Sequence, residues 1–130
     1  MSAGYLFDTS FLVDLQSEQK AGMAGPATRT LAGLPDGRPL WISVVTVAEF
    51  LETAEDEMAA ARRLGGFRVQ TIGWAAARRC AAQQTRAARR LGENDAWQVA
   101  LAVGGGLTLV GHDHAFAARP GLDYLDHRAG

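Results

Sequence analysis

Short β-branched and aromatic runs alternate with longer stretches of helical periodicity along this chain, and that alternation narrows its fold more than any other feature. Gly4 to Phe7, Leu40 to Val45, Phe67 to Ile72, Leu107 to Val110 and Leu122 to Leu125 read as strands. Between them, apolar residues return at helical spacing. Phe11, Leu12, Val13 and Leu15 follow a cap at Asp8, Thr9 or Ser10. Residues 16–39, punctuated by Gly25-Pro26, Pro35-Asp36-Gly37 and Pro39, read as a helix pair with a mobile connection. Val47, Phe50, Leu51, Ala54, Met58, Ala61 and Leu64 predict one helix stopped by Gly65-Gly66. Trp74 to Leu91 predicts another, with Trp74, Ala77, Ala81, Ala88 and Leu91 inward, and Asn94 to Val103 a last one ended by glycines 104–106. Strands alternating with helices give a three-layer α/β/α sandwich around a mainly parallel sheet.

With 130 residues the chain has the size of one domain, taken here as 1–130. A net charge of −1 provides no overall field for a polyanion, so any nucleic-acid binding must use local patches. Cys80 is the only cysteine, which excludes an internal disulfide and a thiolate zinc cluster and suits a reducing compartment. MSAGYLFD has no basic region or apolar signal core, and no apolar run approaches the length of a bilayer span. The expected location is the cytoplasm, with no membrane partner.

In open parallel sheets, function gathers beyond the carboxyl ends of the strands. Asp8 directly follows the first strand and Asp113 nearly follows a later one. Glu49 lies one turn into the helix after the second strand, and Asp95 opens a helix able to face the same end. Four carboxylates gathered there repel strongly unless a cation accompanies them. Mg²⁺ or Mn²⁺ takes hard oxygen ligands, and phosphodiester hydrolysis is the chemistry that best uses such a site. Each acid also has a structural role open to it. Thr46-Val47-Ala48-Glu49 is a capping-box pattern, Asp95 suits a first helical turn, Asp8 an N-cap and Asp113 a turn. Their joint occurrence in matching positions favours the metal site.

The segments YLFDTSFLVDL, ISVVTVAEFL, LGENDAWQVALA and GLTLVGHDHAF resemble, in order, the four acidic motifs of the PIN-domain family, particularly the VapC-like toxins. The resemblance implies a PIN-like fold and a Mg²⁺- or Mn²⁺-dependent endoribonuclease. It gives Asp8, Glu49, Asp95 and Asp113 the metal-binding and catalytic roles, with Thr9, Ser10 and Asn94 as supporting polar residues. It also implies a cognate antitoxin that masks the groove, and a homodimer. Three positions depart from the family pattern: Gly111 replaces a usual serine or threonine, Ala115 a frequent acid, and Gln98 an apolar residue.

Two other readings remain open: a PIN-like module that binds RNA or protein without cutting, and a receiver-like domain phosphorylated on Asp8. The second leaves Glu49 and Asp95 without a task and finds its one lysine, Lys20, in the undecided region. His112 and His114 read as turn histidines, and His127 sits near a C-terminus expected to fray. Arg79, Arg86 and Arg90 share a helical face beside Arg78 and Arg89. They either track an RNA backbone or form a solvated face on an alanine-rich helix. Trp41, Trp74 and Trp97 read as core or interface anchors.

Overall fold

Tyr5–Phe7 (β1) is only three residues long, yet it is buried throughout, because it lies at the centre of the sheet. In the computed structural model, which describes residues 2–35, 37–117 and 119–129, β1 is followed by α1 (Thr9–Ala21) and α2 (Pro26–Gly33). Then come β2 (Leu40–Ser43), α3 (Val44–Glu52), α4 (Glu57–Leu64) and β3 (Arg68–Gln70). The chain continues through α5 (Trp74–Arg86), α6 (Glu93–Gly105), β4 (Thr108–Gly111), a 3₁₀ turn at His114–Phe116 and β5 (Asp123–Asp126). Asp36, part of the expected Pro35-Asp36-Gly37 turn, lies outside the described residues.

Among the described residues, five strands pair in the order β3-β2-β1-β4-β5, all parallel. Side chains alternate across the sheet, so Tyr5 and Phe7 face one helical layer and Leu6 the other. Phe7 packs with Phe11, Leu12, Leu15, Ile42 and Phe50 from α1, β2 and α3. Leu6 packs with Leu109, Val99, Leu101 and Cys80 beneath α5 and α6. The expected α/β/α sandwich is therefore the observed fold. The chain builds β1, β2 and β3 outward in one direction and then crosses back to place β4 on the other side of β1. The order reverses between β1 and β4, and ligand crevices in open α/β sheets form at such a switch point.

Several local expectations change. Residues 44–64 form two helices, because Asp56 caps a second start by accepting from the Ala59 amide at 3.2 Å. The connection between α1 and α2 is fixed: Glu18 accepts hydrogen bonds from the amides of Gly25, Ala27 and Thr28 at 2.8–2.9 Å. Burial opposes the charge on Glu18, but these bonds outweigh it and lower its carboxyl to about 2. α5 stops at Arg86, with Ala87 extended. Its buried positions are Cys80 and Gln84 rather than Ala77 and Ala81, and Trp74 stands 80% exposed at its start. An alanine-rich helix offers little apolar contrast, and the buried face includes a glutamine satisfied by Leu91: Gln84 accepts from the Leu91 amide and donates to its carbonyl.

Candidate active site

β1 ends at Phe7, and the next residue, Asp8, is already the N-cap of α1. Its Oδ2 accepts from the Ser10 hydroxyl at 2.8 Å and more weakly from the Ser10 amide at 3.4 Å. The same hydroxyl accepts from the His112 amide at 2.9 Å, which ties the ends of β1 and β4 together. Gly111 lies against this knot. A Cβ there would stand 2.9 Å from the Asp8 Cβ and 3.1 Å from Ser10 Oγ. The serine or threonine of the family pattern has no room at this position, and the Ser10 hydroxyl occupies the adjoining space.

The other oxygen of Asp8, Oδ1, accepts from Gln98 Nε2 at 3.1 Å. Gln98 is fully buried on α6, and its amide also donates to Thr46 Oγ1 at 2.6 Å. Its Oε1 is buried without a partner. The amide orientation follows from chemistry, since turning it over would point an oxygen at the Asp8 carboxylate. A polar side chain at this apolar position thus becomes a strut under Asp8.

Glu49 is not part of a capping box. The N-cap of α3 is Ser43, three residues before Thr46, and its hydroxyl accepts from the Thr46 amide at 3.1 Å. Glu49 lies a turn further on and accepts from the Thr9 hydroxyl at 2.8 Å. Asp113 caps the 3₁₀ turn by accepting from the Ala115 amide at 2.9 Å. Tyr124 on β5 holds the Asp113 backbone by accepting from its amide at 3.0 Å. Asp95 stands half-buried in the first turn of α6. Burial raises its carboxyl, the charges of Asp113, Asp8 and Glu49 add to this, and a hydrogen bond with the Asp113 carboxylate favours the protonated form. The result is about 6. The raised carboxyl is consistent with the other three acids lying close enough to Asp95 to act on its charge.

All four sequence-selected acids therefore meet at one end of the sheet, together with Thr9 and Ser10. Asn94 is exposed and makes no side-chain hydrogen bond among the described residues. Gln98, noted in the sequence only as a departure from the family pattern, and Thr46, read only as a capping residue, are contributors whose role the sequence did not assign, and Tyr124 is a third. The signal for Gln98 was present in the sequence, as a polar residue on an otherwise buried helix face. Tyr124 gave none, because it lies on an edge strand far along the chain.

The donor set suits a hard divalent cation in type, since it consists of carboxylates from four segments. Among the described residues no three acidic, histidine or cysteine side chains form a ready-made cage. Mg²⁺ commonly binds few carboxylates directly and retains water, so it does not require such a cage. The residues thus fit such an ion.

A family model described as the PIN domain matches residues 5–122. The chain belongs to the PIN family. Solved structures agree with this PIN fold. A toxin-antitoxin complex from Klebsiella pneumoniae matches at TM-score 0.76 and 26% identity, over 95% of this chain and 98% of that one. DNA-bound VapBC from Salmonella typhimurium matches at TM-score 0.76 and 22% identity, over 98% and 99%. VapC20 from Mycobacterium tuberculosis, described as a Sarcin-Ricin loop cleaving toxin, matches at TM-score 0.65 and 22% identity, over 88% and 94%. No curated protein matches the sequence significantly. No helix among the described residues is long and apolar enough to cross a membrane.

Proposed function

We propose that this PIN domain is a Mg²⁺- or Mn²⁺-dependent endoribonuclease and the toxin of a toxin–antitoxin pair. The observation that carries the reading is the coupling of Asp95 to Asp8, Glu49 and Asp113 at the switch point of the sheet. Asp8, Glu49, Asp95 and Asp113 would hold the ion. When bound, it would acidify a coordinated water and neutralise charge on the phosphoryl oxygens.

The chain's own residues supply preorganisation. Ser10 and Gln98 fix the two oxygens of Asp8, Thr9 fixes Glu49, and the Ala115 amide fixes Asp113. Glu49 comes from the layer of α1 and α3 and Asp95 from that of α5 and α6, so the cleft straddles the end of the sheet. A receiver-like role for Asp8 gains nothing from the fold. Lys20 is exposed in the last turn of the helix that Asp8 caps, about 18 Å along its axis.

The proposal includes a cognate antitoxin, supported by the toxin–antitoxin complexes among the structures this chain resembles in fold, and it extends to an antitoxin that covers the cleft and to a second copy of the chain. Cleavage of RNA oligonucleotides tests it. Cutting is expected with Mg²⁺ or Mn²⁺, with loss on chelation and severe loss in folded Asp8→Asn and Asp95→Asn variants. RNA binding without cutting at any metal concentration would leave an inert binding module instead. Growth arrest by the wild type but not by Asp95→Asn tests the toxin role.

A further inference from the structure

A second site lies between α5, α6 and the β4–β5 connection. A cavity of about 330 Å³ opens there, with Arg79 and Arg86 of α5 and Arg119 of the connection around it. Leu91, Val99 and Val103 form an apolar floor. No acidic residue lines the cavity, and none of the three arginines pairs with a carboxylate among the described residues.

The walls are fixed without using the arginine termini. Gln83 Nε2 donates to the Ala96 carbonyl at 2.7 Å and joins the two helices, while Gln84 fastens Leu91 at the floor. Arg119 donates through Nε to the Ala115 carbonyl at 3.0 Å, leaving its terminal nitrogens for another acceptor. Gly104 leaves room beside Arg79, since a Cβ there would stand 3.0 Å from Arg79 Nε.

Charge is also unevenly spread. The protein carries net −1, yet residues 74–92 contain Arg78, Arg79, Arg86, Arg89 and Arg90 and no acid. A polyanionic strand is repelled by four carboxylates before any cation binds, so attraction must come from elsewhere on the surface. This segment is the largest acid-free concentration of cations, and Leu91 at its end leads through residues 92–94 to Asp95.

We infer that the Arg79–Arg86–Arg119 cavity is an exosite for single-stranded RNA, holding nucleotides that flank the bond at the acid cleft. The inference rests on the ribonuclease reading for the identity of the strand. Arginine forks engage phosphate oxygens bidentately, and Arg79 and Arg86, two helical turns or about 10 Å apart, reach separate phosphates. The aliphatic floor accepts the apolar face of a sugar or base.

Fluorescence anisotropy of a labelled single-stranded RNA 12-mer, measured in EDTA so that nothing is cut, tests the site. Arg79→Gln/Arg86→Gln is expected to weaken binding about tenfold. It should also reduce the slope of log K against log salt by about 1.4, from about 0.7 per phosphate contact on a single strand. Arg29→Gln/Arg62→Gln removes the same charge from a distant face and should change affinity less than twofold. Equal losses in both pairs, or no loss in the first, overturn the site. Binding of a polyglutamate peptide that requires Arg79 and Arg86 while RNA affinity is unchanged overturns it in favour of an acidic protein partner. Arginine-dependent RNA binding without cleavage in Mg²⁺ or Mn²⁺ keeps the exosite and sinks the ribonuclease reading. Cleavage with arginine-independent binding does the reverse, and no RNA binding at all sinks both.

Discussion

Replacing Gln98 by leucine separates a strut for the metal site from an ordinary buried polar residue. The substitution keeps approximate volume on a fully buried face of α6 and removes both donor contacts, to Asp8 Oδ1 at 3.1 Å and Thr46 Oγ1 at 2.6 Å. A hydrogen bond to a charged acceptor contributes about 1.5–3 kcal/mol and a neutral one about 0.5–1.5 kcal/mol. Against this, leucine removes a buried Oε1 that has no partner, a burden of about 1–3 kcal/mol. The terms largely offset, leaving metal-free Gln98→Leu less stable by about 1–2 kcal/mol, or about 4–8 °C in Tm at this chain length.

Metal binding should respond differently. Asp8 keeps its Ser10 contact on Oδ2 but loses the anchor on Oδ1, so its carboxylate is free to turn. Loss of an outer partner of a metal ligand typically costs about 10- to 100-fold in metal affinity or activity. Calorimetric titration of folded Gln98→Leu with Mn²⁺ should show that loss, with cleavage partly recovered at high metal concentration. Affinity within twofold of wild type, together with the modest stability change, would refute the strut.

Other outcomes follow from the same contacts. The Asp95 carboxyl, at about 6 against an ordinary 3.8, binds its proton more tightly in the folded than in the unfolded chain. Its contribution to metal-free stability is therefore fully present below about pH 4 and lost as pH rises through about 6, by about 1 kcal/mol after solvent screening of a half-exposed group. Mg²⁺ should consequently raise Tm more at pH 7.5 than at pH 5, and equal shifts in scanning fluorimetry would contradict the coupling. Gly111→Ala forces a methyl group into the contact with the Asp8 Cβ and should destabilise by about 1–3 kcal/mol while lowering activity; an unchanged melt would disprove the crowding. His127→Ala should cost about 3 kcal/mol in a denaturant titration, since its buried ring packs edge-on against Phe11 and lies 2.8 Å from Asp14. Arg128→Ala, which removes a half-exposed pair to the same Asp14, should cost less than about 1 kcal/mol.

What the sequence disclosed and what it hid divide along a physical line. Strand–helix alternation fixes the layers, because its signal is the burial of many side chains at once, and the acids could be placed because each sits at or within about two turns of the start of a helical element that follows a strand or loop. Contacts between distant segments left no such periodic trace. The expected fraying of the C-terminal segment fails because His127 reaches Asp14 across more than a hundred residues. The expected capping box at Thr46 fails because Ser43, already ending β2, takes that role and frees Glu49 to meet Thr9. The three departures from the family pattern then become understandable together. Gly111 is small because Asp8 and Ser10 fill the space a side chain would need, and Ala115 serves Asp113 through its backbone amide, which any residue but proline provides. Gln98 adds a donor on the side of Asp8 opposite Ser10. Position by position these residues look like losses from an acidic motif; in space Gln98 holds Asp8, the Ala115 amide holds Asp113, and Gly111 leaves the room that Asp8 and Ser10 fill at the reversal of the sheet.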